Sequence, residues 1–198
     1  MKYFEKIQGL LPLGYLYLII LGLLKESIFF YPLGIHILKF SSITDILISP
    51  ISDITSNPIL ISLITCILLA FFIYQAVLIK NSHKEWGKKI LKSYRLNTDV
   101  DKKELQKAMI PVFSIIVALA LLSLFVGLGI GQGNMVKNKL NKQSFKNNYI
   151  VTFSSGKTTE VYIIDNNSSY YFYAEKSSKS VKIVPTGNIS SLEVINPK

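Results

Sequence analysis

The sequence predicts a two-part membrane protein, with three transmembrane helices followed by a small C-terminal all-β domain of about five strands in an antiparallel meander. Three observations carry this. Of 198 residues, 49% are hydrophobic and only 17% charged, whereas a soluble domain carries about 25% charged residues. Three long apolar runs precede Gly133. Beyond it the chain turns polar, Ser-rich and Lys-rich, and its periodicity changes from helical to two.

The second and third runs are the cleanest. Residues 58–79 are 22 uncharged residues between Asn57 and Lys80, enough for roughly 33 Å of helix. Asn57 and Pro58 supply an N-cap and a proline at the first helical position. Residues 109–130 form an equal span, with Pro111 in its first turn. The first run is shorter, since residues 9–24 provide only 16 before Lys25 and Glu26. Extending it to Phe30, before Pro32, reaches the length a bilayer needs and places both charges near its far end. A basic start and an apolar run also mark secretory signals, but no small-residue cleavage site follows Leu24, so an uncleaved helix over 9–30 is expected.

Net charge is +10, which in a soluble protein would suggest nucleic acid. In a membrane protein Lys and Arg gather at cytoplasmic edges instead. A cytoplasmic amino terminus puts Lys2, Lys6 and the nine basic residues of loop 80–108 inside, and Lys39 with four lysines after the third span outside, 11 against 5. The carboxyl-terminal domain is then extracytoplasmic. The outline resembles that of small proteins of bacterial cytoplasmic membranes, a resemblance of architecture alone that implies no activity and no site residues.

The outer loop 31–57 is too apolar for a solvated connector. Ile43, Ile46, Leu47, Pro50, Ile51 and Ile54 fall at helical spacing, and Ser42 with Asp45 forms a capping-box variant. Pro50 is expected to end one short helix and start another. Such a segment lies in the membrane interface, re-enters shallowly, or packs as a connector that closes the bundle. In the cytoplasmic loop 80–108, Trp86, Ile90 and Tyr94 recur among Lys84, Lys88, Lys89 and Lys92, the pattern of a basic amphipathic helix at a lipid surface. Asp101 and Glu104 repeat the capping spacing and start the third helix near Lys102.

Residues 1–133 thus make the transmembrane domain, 134–148 a Lys-rich linker and 149–198 the β domain. Strands are predicted over 149–154, 158–165, 170–174, 181–185 and 192–195, separated by SSGK, NNSS, KSSKS and TGN turns. By pattern this resembles a small SH3-like or Sm-like barrel. Its aromatic residues either stack nucleic acid bases or fill the sheet's core; an extracytoplasmic domain meets no nucleic acid. The core is then Val161, Ile163, Tyr171, Tyr173, Val181 and Ile183, or the alternating set.

Chemistry-bearing residues are sparse. One cysteine, Cys66, excludes an internal disulfide and a cysteine-rich zinc site, and two histidines leave little for a metal centre. No phosphate loop, dinucleotide fingerprint or HExxH occurs. His36, Ser41, Ser42, Asp45 and Asp53 share the outer loop, but their spacing is not that of a nucleophile elbow. Lys25 and Glu26 are the ionisable residues inside a predicted span, and charge in hydrocarbon is costly enough to mark a functional candidate. Neighbours on a helix point about 100° apart, so each is expected to find its own outlet: Lys25 by snorkelling, Glu26 inward toward the loop with Lys39 or His36. In the second span Ser62, Thr65 and Cys66 share a face suited to interhelical hydrogen bonds. Ser123, Gly127 and Gly131 form a small-residue stripe for helix packing, with Gly129 and Gly133 offset by two.

The expected function is a non-enzymatic subunit, scaffold or sensor of a membrane complex, without cofactor or metal. Its partners are the bilayer and a protein or a second copy of itself, and not nucleic acid. The alternative is a small oligomeric channel or transporter component.

Overall fold

A computed structural model describes residues 2–97, 100–176 and 178–195, with side chains from residue 11 onward. The side chains of Lys2 and Lys6, which enter the charge count, and Ser177 of the third predicted turn lie outside them. Among the described residues five α-helices precede five strands: α1 (Lys2–Phe30), α2 (Ile43–Ser56), α3 (Pro58–Lys80), α4 (Glu85–Ser93), α5 (Lys102–Lys142), then β1 (Tyr149–Phe153), β2 (Thr158–Asn166), β3 (Tyr170–Ala174), β4 (Lys182–Pro185) and β5 (Ile189–Val194). Among the described residues three helices are long and apolar enough to cross a membrane, over Leu11–Leu33, Pro58–Lys80 and Lys102–Lys142.

Local signals explain where the helices begin and end. Asn57 caps α3 by accepting from the N–H groups of Ile59 at 3.0 Å and Leu60 at 3.3 Å. Ser42 caps α2 reciprocally: its hydroxyl accepts from the Asp45 N–H at 3.1 Å, and the Asp45 carboxylate accepts from the Ser42 N–H at 2.9 Å. Pro50 lies inside α2 rather than dividing it. A proline there removes the donor that the Ile46 carbonyl would use, and that carbonyl lies against Gly22 of α1. α5 starts at Lys102, as the Asp101 and Glu104 spacing predicts, but runs for 41 residues. It therefore continues through 134–142 of the stretch expected as a linker. It stops where Gln143 turns to φ 51° and the Ser144 N–H reaches back to the Lys139 carbonyl at 3.0 Å, a left-handed helix ending.

The chain forms two compact units, one of Met1–Ile51 with Phe125–Lys198 and one of Ser52–Leu124. In the second, α4 closes over the ends of α3 and α5 through Leu78, Leu91, Leu105, Met109 and Phe113, all buried. The row Trp86, Ile90, Tyr94, read as a lipid-surface face, contributes only Ile90 to the edge of this cluster. Gly87 and Leu91, one position along, are the buried residues of α4, and Trp86 stays 43% exposed.

In the first unit the strands form one antiparallel sheet in the order β4-β3-β2-β1-β5. β2 pairs with β1 through Thr158–Val161 and with β3 through its second half, with a register shift between Ile163 and Asp165. Asn148, just before β1, covers this bend with its side chain: Oδ1 accepts from the Ile163 N–H at 2.8 Å and Nδ2 donates to the Ile163 carbonyl at 3.2 Å. The three-residue turn Thr186–Asn188 carries the chain from β4 to β5 at the opposite edge. Such a connection spans at most about 14 Å, so the sheet is strongly curled. It is nonetheless open. Among the described residues β4 and β5 share no ladder, and the closed barrel that the strand pattern resembles is not formed.

Both faces of the sheet are covered, which explains why two alternating apolar sets competed in the sequence. Val151, Val161 and Tyr173, with Ile163, Val184 and Leu192, make the sheet's own core. Phe172 and Ala174, with Tyr162, Ile164 and Ile183, pack on Phe29, Phe30, Ile37, Val136, Leu140 and Phe145.

Candidate functional site

α1 delivers Lys25 and Glu26 to the face covered by α2, where Ser49 stands one residue before Pro50. The Lys25 ammonium donates to Glu26 Oε1 at 2.8 Å, with the two side chains 7% and 10% exposed. The Ser49 hydroxyl donates to the same oxygen, and Lys25 Nζ lies 3.5 Å from Ser49 Oγ and 5.7 Å from the centre of the Phe29 ring. This corrects the expectation that helical neighbours cannot pair. Their Cβ atoms diverge by about 100°, but both stems are long enough for the tips to converge where Ser49 binds them. Lys25 is turned inward, toward an opposite charge and a ring face. Lys39 and His36, expected as partners of Glu26, are exposed, and among the described residues no hydrogen bond or ion pair joins either to it. The result is an internally neutralised pair clamped by a hydroxyl, the arrangement that makes buried charge tolerable.

Glycines set how closely these elements approach. At Gly22, a Cβ would collide with the carbonyl oxygen of Ile46. That is the carbonyl whose ordinary donor Pro50 lacks, so α1 meets α2 where the proline interrupts its ladder. On α5, a Cβ at Gly129 would lie 2.8 Å from the Lys25 carbonyl oxygen, and one at Gly133 would lie 2.5 Å from the Phe29 carbonyl oxygen. Gly127 and Gly131 have nothing within 4 Å, and the Ser123 hydroxyl bonds back to the Leu119 carbonyl at 2.9 Å. Within the unit, then, the offset pair Gly129 and Gly133 seats α5 on α1, and the stripe through Gly127 and Gly131 is left open.

The sheet is fastened to the α1–α2 connection. Asp45, already engaged by Ser42, also accepts from the N–H and the hydroxyl of Ser168, both at 3.1 Å. Asn167 Nδ2 donates to the Phe40 carbonyl at 3.0 Å and to Ser41 Oγ at 3.2 Å. Burial pushes the Asp45 carboxyl up, but the hydrogen bonds from Ser42 and Ser168 together outweigh it and hold the group below the usual carboxylate range. Beneath this clasp Phe30 and Phe172, both buried, pack with ring centres 4.7 Å apart.

The remaining polar residues do not assemble into one site. Ser41, Ser42 and Asp45 are committed to the clasp, and among the described residues no hydrogen bond joins the His36 side chain to them. His36 instead lines a cavity of about 410 Å³ with Ser27, Tyr31, Gly34, Ile35 and Leu38. Gly34, at φ 75°, makes the turn that shapes it. The Thr65 hydroxyl bonds its own helix at the Ile61 carbonyl at 2.8 Å, which replaces the interhelical bond expected of it. Cys66 is exposed. Among the described residues no group of three or more His, Cys, Asp or Glu is placed to hold a metal ion. Sequence reasoning missed Ser49, Gly22 and Ser168. A small residue facing a proline-bearing apolar helix was the available signal for Gly22; nothing local pointed to the other two.

No protein family, curated protein or solved structure matches the chain.

Proposed function

We propose that the chain is a non-enzymatic component of a membrane complex, a subunit, scaffold or sensor that engages a protein partner through its β sheet and the adjoining α1–α2 connection. The observation that carries this is the seating of the sheet on the end of α1, through Phe30 on Phe172 and Asp45 on Ser168. A partner that binds the sheet thereby acts on an apolar helix built to span the bilayer, which is what a subunit or sensor requires. Two sheet edges that have no neighbouring strand among the described residues, on β4 and β5, offer backbone groups for such a contact. The charge distribution favours a cytoplasmic amino terminus and an extracytoplasmic sheet, in a bacterial cytoplasmic membrane.

The test is purification of the tagged chain from its native membrane in mild detergent, with mass and composition of the complex both read. A stoichiometric second polypeptide supports the proposal. A defined homo-oligomer with nothing else bound moves the weight to a small channel or transporter component, a reading favoured by the open stripe at Gly127 and Gly131. Glu26→Gln separates the two: ion conductance unchanged at equal protein level removes the charged support for a pathway.

A further inference from the structure

α4 carries an unusual combination of rigidity and unpaired charge. It is held by Leu91, fully buried against Leu78 and Leu105 at the ends of the apolar stretches of α3 and α5. Gly87 fixes its rotation, since a Cβ there would collide with the carbonyl oxygen of Asn81, just past the end of α3. With this stripe turned inward, helical geometry places Lys88 and Lys92 on one flank and Trp86 beside Lys89 toward the other. Lys84, Lys88, Lys89 and Lys92 are all exposed, and among the described residues none has an ion-pair partner. Glu85 is the single acid on the helix. Trp86, the one tryptophan of the chain, is 43% exposed.

An apolar stripe needs only the bundle beneath it and does not explain four free lysines beside an exposed indole. Indoles concentrate at the level of lipid headgroups, and clustered lysines next to a spanning helix attract anionic ones. We propose that α4 is a binding site for the anionic phospholipid headgroups of the leaflet at which α3 ends and α5 begins. Trp86 sits among the glycerol backbones, and Lys84, Lys88, Lys89 and Lys92 contact the phosphates. This rests on α3 and α5 spanning the bilayer and is independent of the role of the sheet.

The single tryptophan makes the site directly readable. The full chain is reconstituted in nanodiscs of mixed phosphatidylcholine and phosphatidylglycerol in which either the anionic or the zwitterionic lipid, at equal fraction, carries bromines near the headgroup. Bromines quench the indole on contact. The expected result is quenching by the brominated anionic lipid about threefold stronger than by the zwitterionic one. It falls to parity when Lys84, Lys88, Lys89 and Lys92 are changed to Gln, substitutions at exposed positions that leave the Leu91 seat intact. Equal quenching by the two lipids in the unaltered chain overturns the proposal and points to an acidic protein as the ligand of these lysines. No quenching by either overturns it outright. Release of the chain from membranes by alkaline carbonate overturns the spanning premise, an outcome distinct from retention without selective quenching.

Discussion

The Asp45 carboxylate joins Ser168 twice, through the backbone N–H and the hydroxyl, across 123 positions of sequence. The same carboxylate closes the capping box at the start of α2. Asp45→Ala removes the cap and the clasp together, an expected loss of about 1–3 kcal/mol. Ser168→Ala removes only the hydroxyl bond and costs about 0.5–1.5 kcal/mol. Thermal unfolding in detergent orders the two, and amide exchange at 167–170 rises in both.

The same contact has a pH dependence whose sign is fixed. The folded carboxyl sits below its ordinary value of 3.8, so its contribution is complete above that value and is lost as pH falls through the folded pKa. Asp45 is half-buried, and screening by the solvent that still reaches it keeps the effect below about 1 kcal/mol. Acid titration of unfolding temperature should show an extra decline below about pH 4 that is absent from Asp45→Asn.

At the buried pair, Lys25→Met leaves Glu26 with Ser49 alone and is expected to cost about 3–5 kcal/mol. Lys25→Met with Glu26→Leu removes both charges and should recover most of that loss. Additive losses in denaturation of the double variant would show that the two residues are not a pair.

Close approach along α5 separates its two glycine rows. Gly129→Ala and Gly133→Ala push a methyl into α1 backbone and should destabilise by about 1–3 kcal/mol. Gly127→Ala and Gly131→Ala meet no neighbour and gain helix propensity, up to about 1 kcal/mol each. A loss of stability at Gly127 or Gly131 would instead reveal a second copy on that row.

Orientation is read with single cysteines at Ser155 and Ser93, both exposed, in a Cys66→Ser background. An impermeant thiol reagent on intact cells should label position 155 and not 93. The reverse pattern would place the sheet in the cytoplasm.

Legibility followed the range of the interactions involved. The spans, the Asn57 and Ser42 caps and the strands were readable because a run, a spacing or an alternation lies within a few residues. The pairing of Lys25 with Glu26 was misread from helix geometry alone, since the element that draws their tips together, Ser49 on α2, is contributed by another helix. The end of α5 at Lys142 was masked by composition: lysines and asparagines read as linker, yet Val136 and Leu140 keep helical spacing and are buried. Barrel closure was a property of β4 and β5, which no local pattern encodes.

The unit that holds the sheet is assembled from the two extremes of the chain, with residues 52–124 intervening. During synthesis Phe29, Phe30 and Ile37 emerge long before the strands that cover them. At ordinary elongation rates the delay is on the order of ten seconds. For that interval the nascent protein displays an uncovered aromatic pair at the end of its first apolar helix. A chain that stalls before β3 keeps displaying it, so an unfinished copy differs from a finished one at this surface.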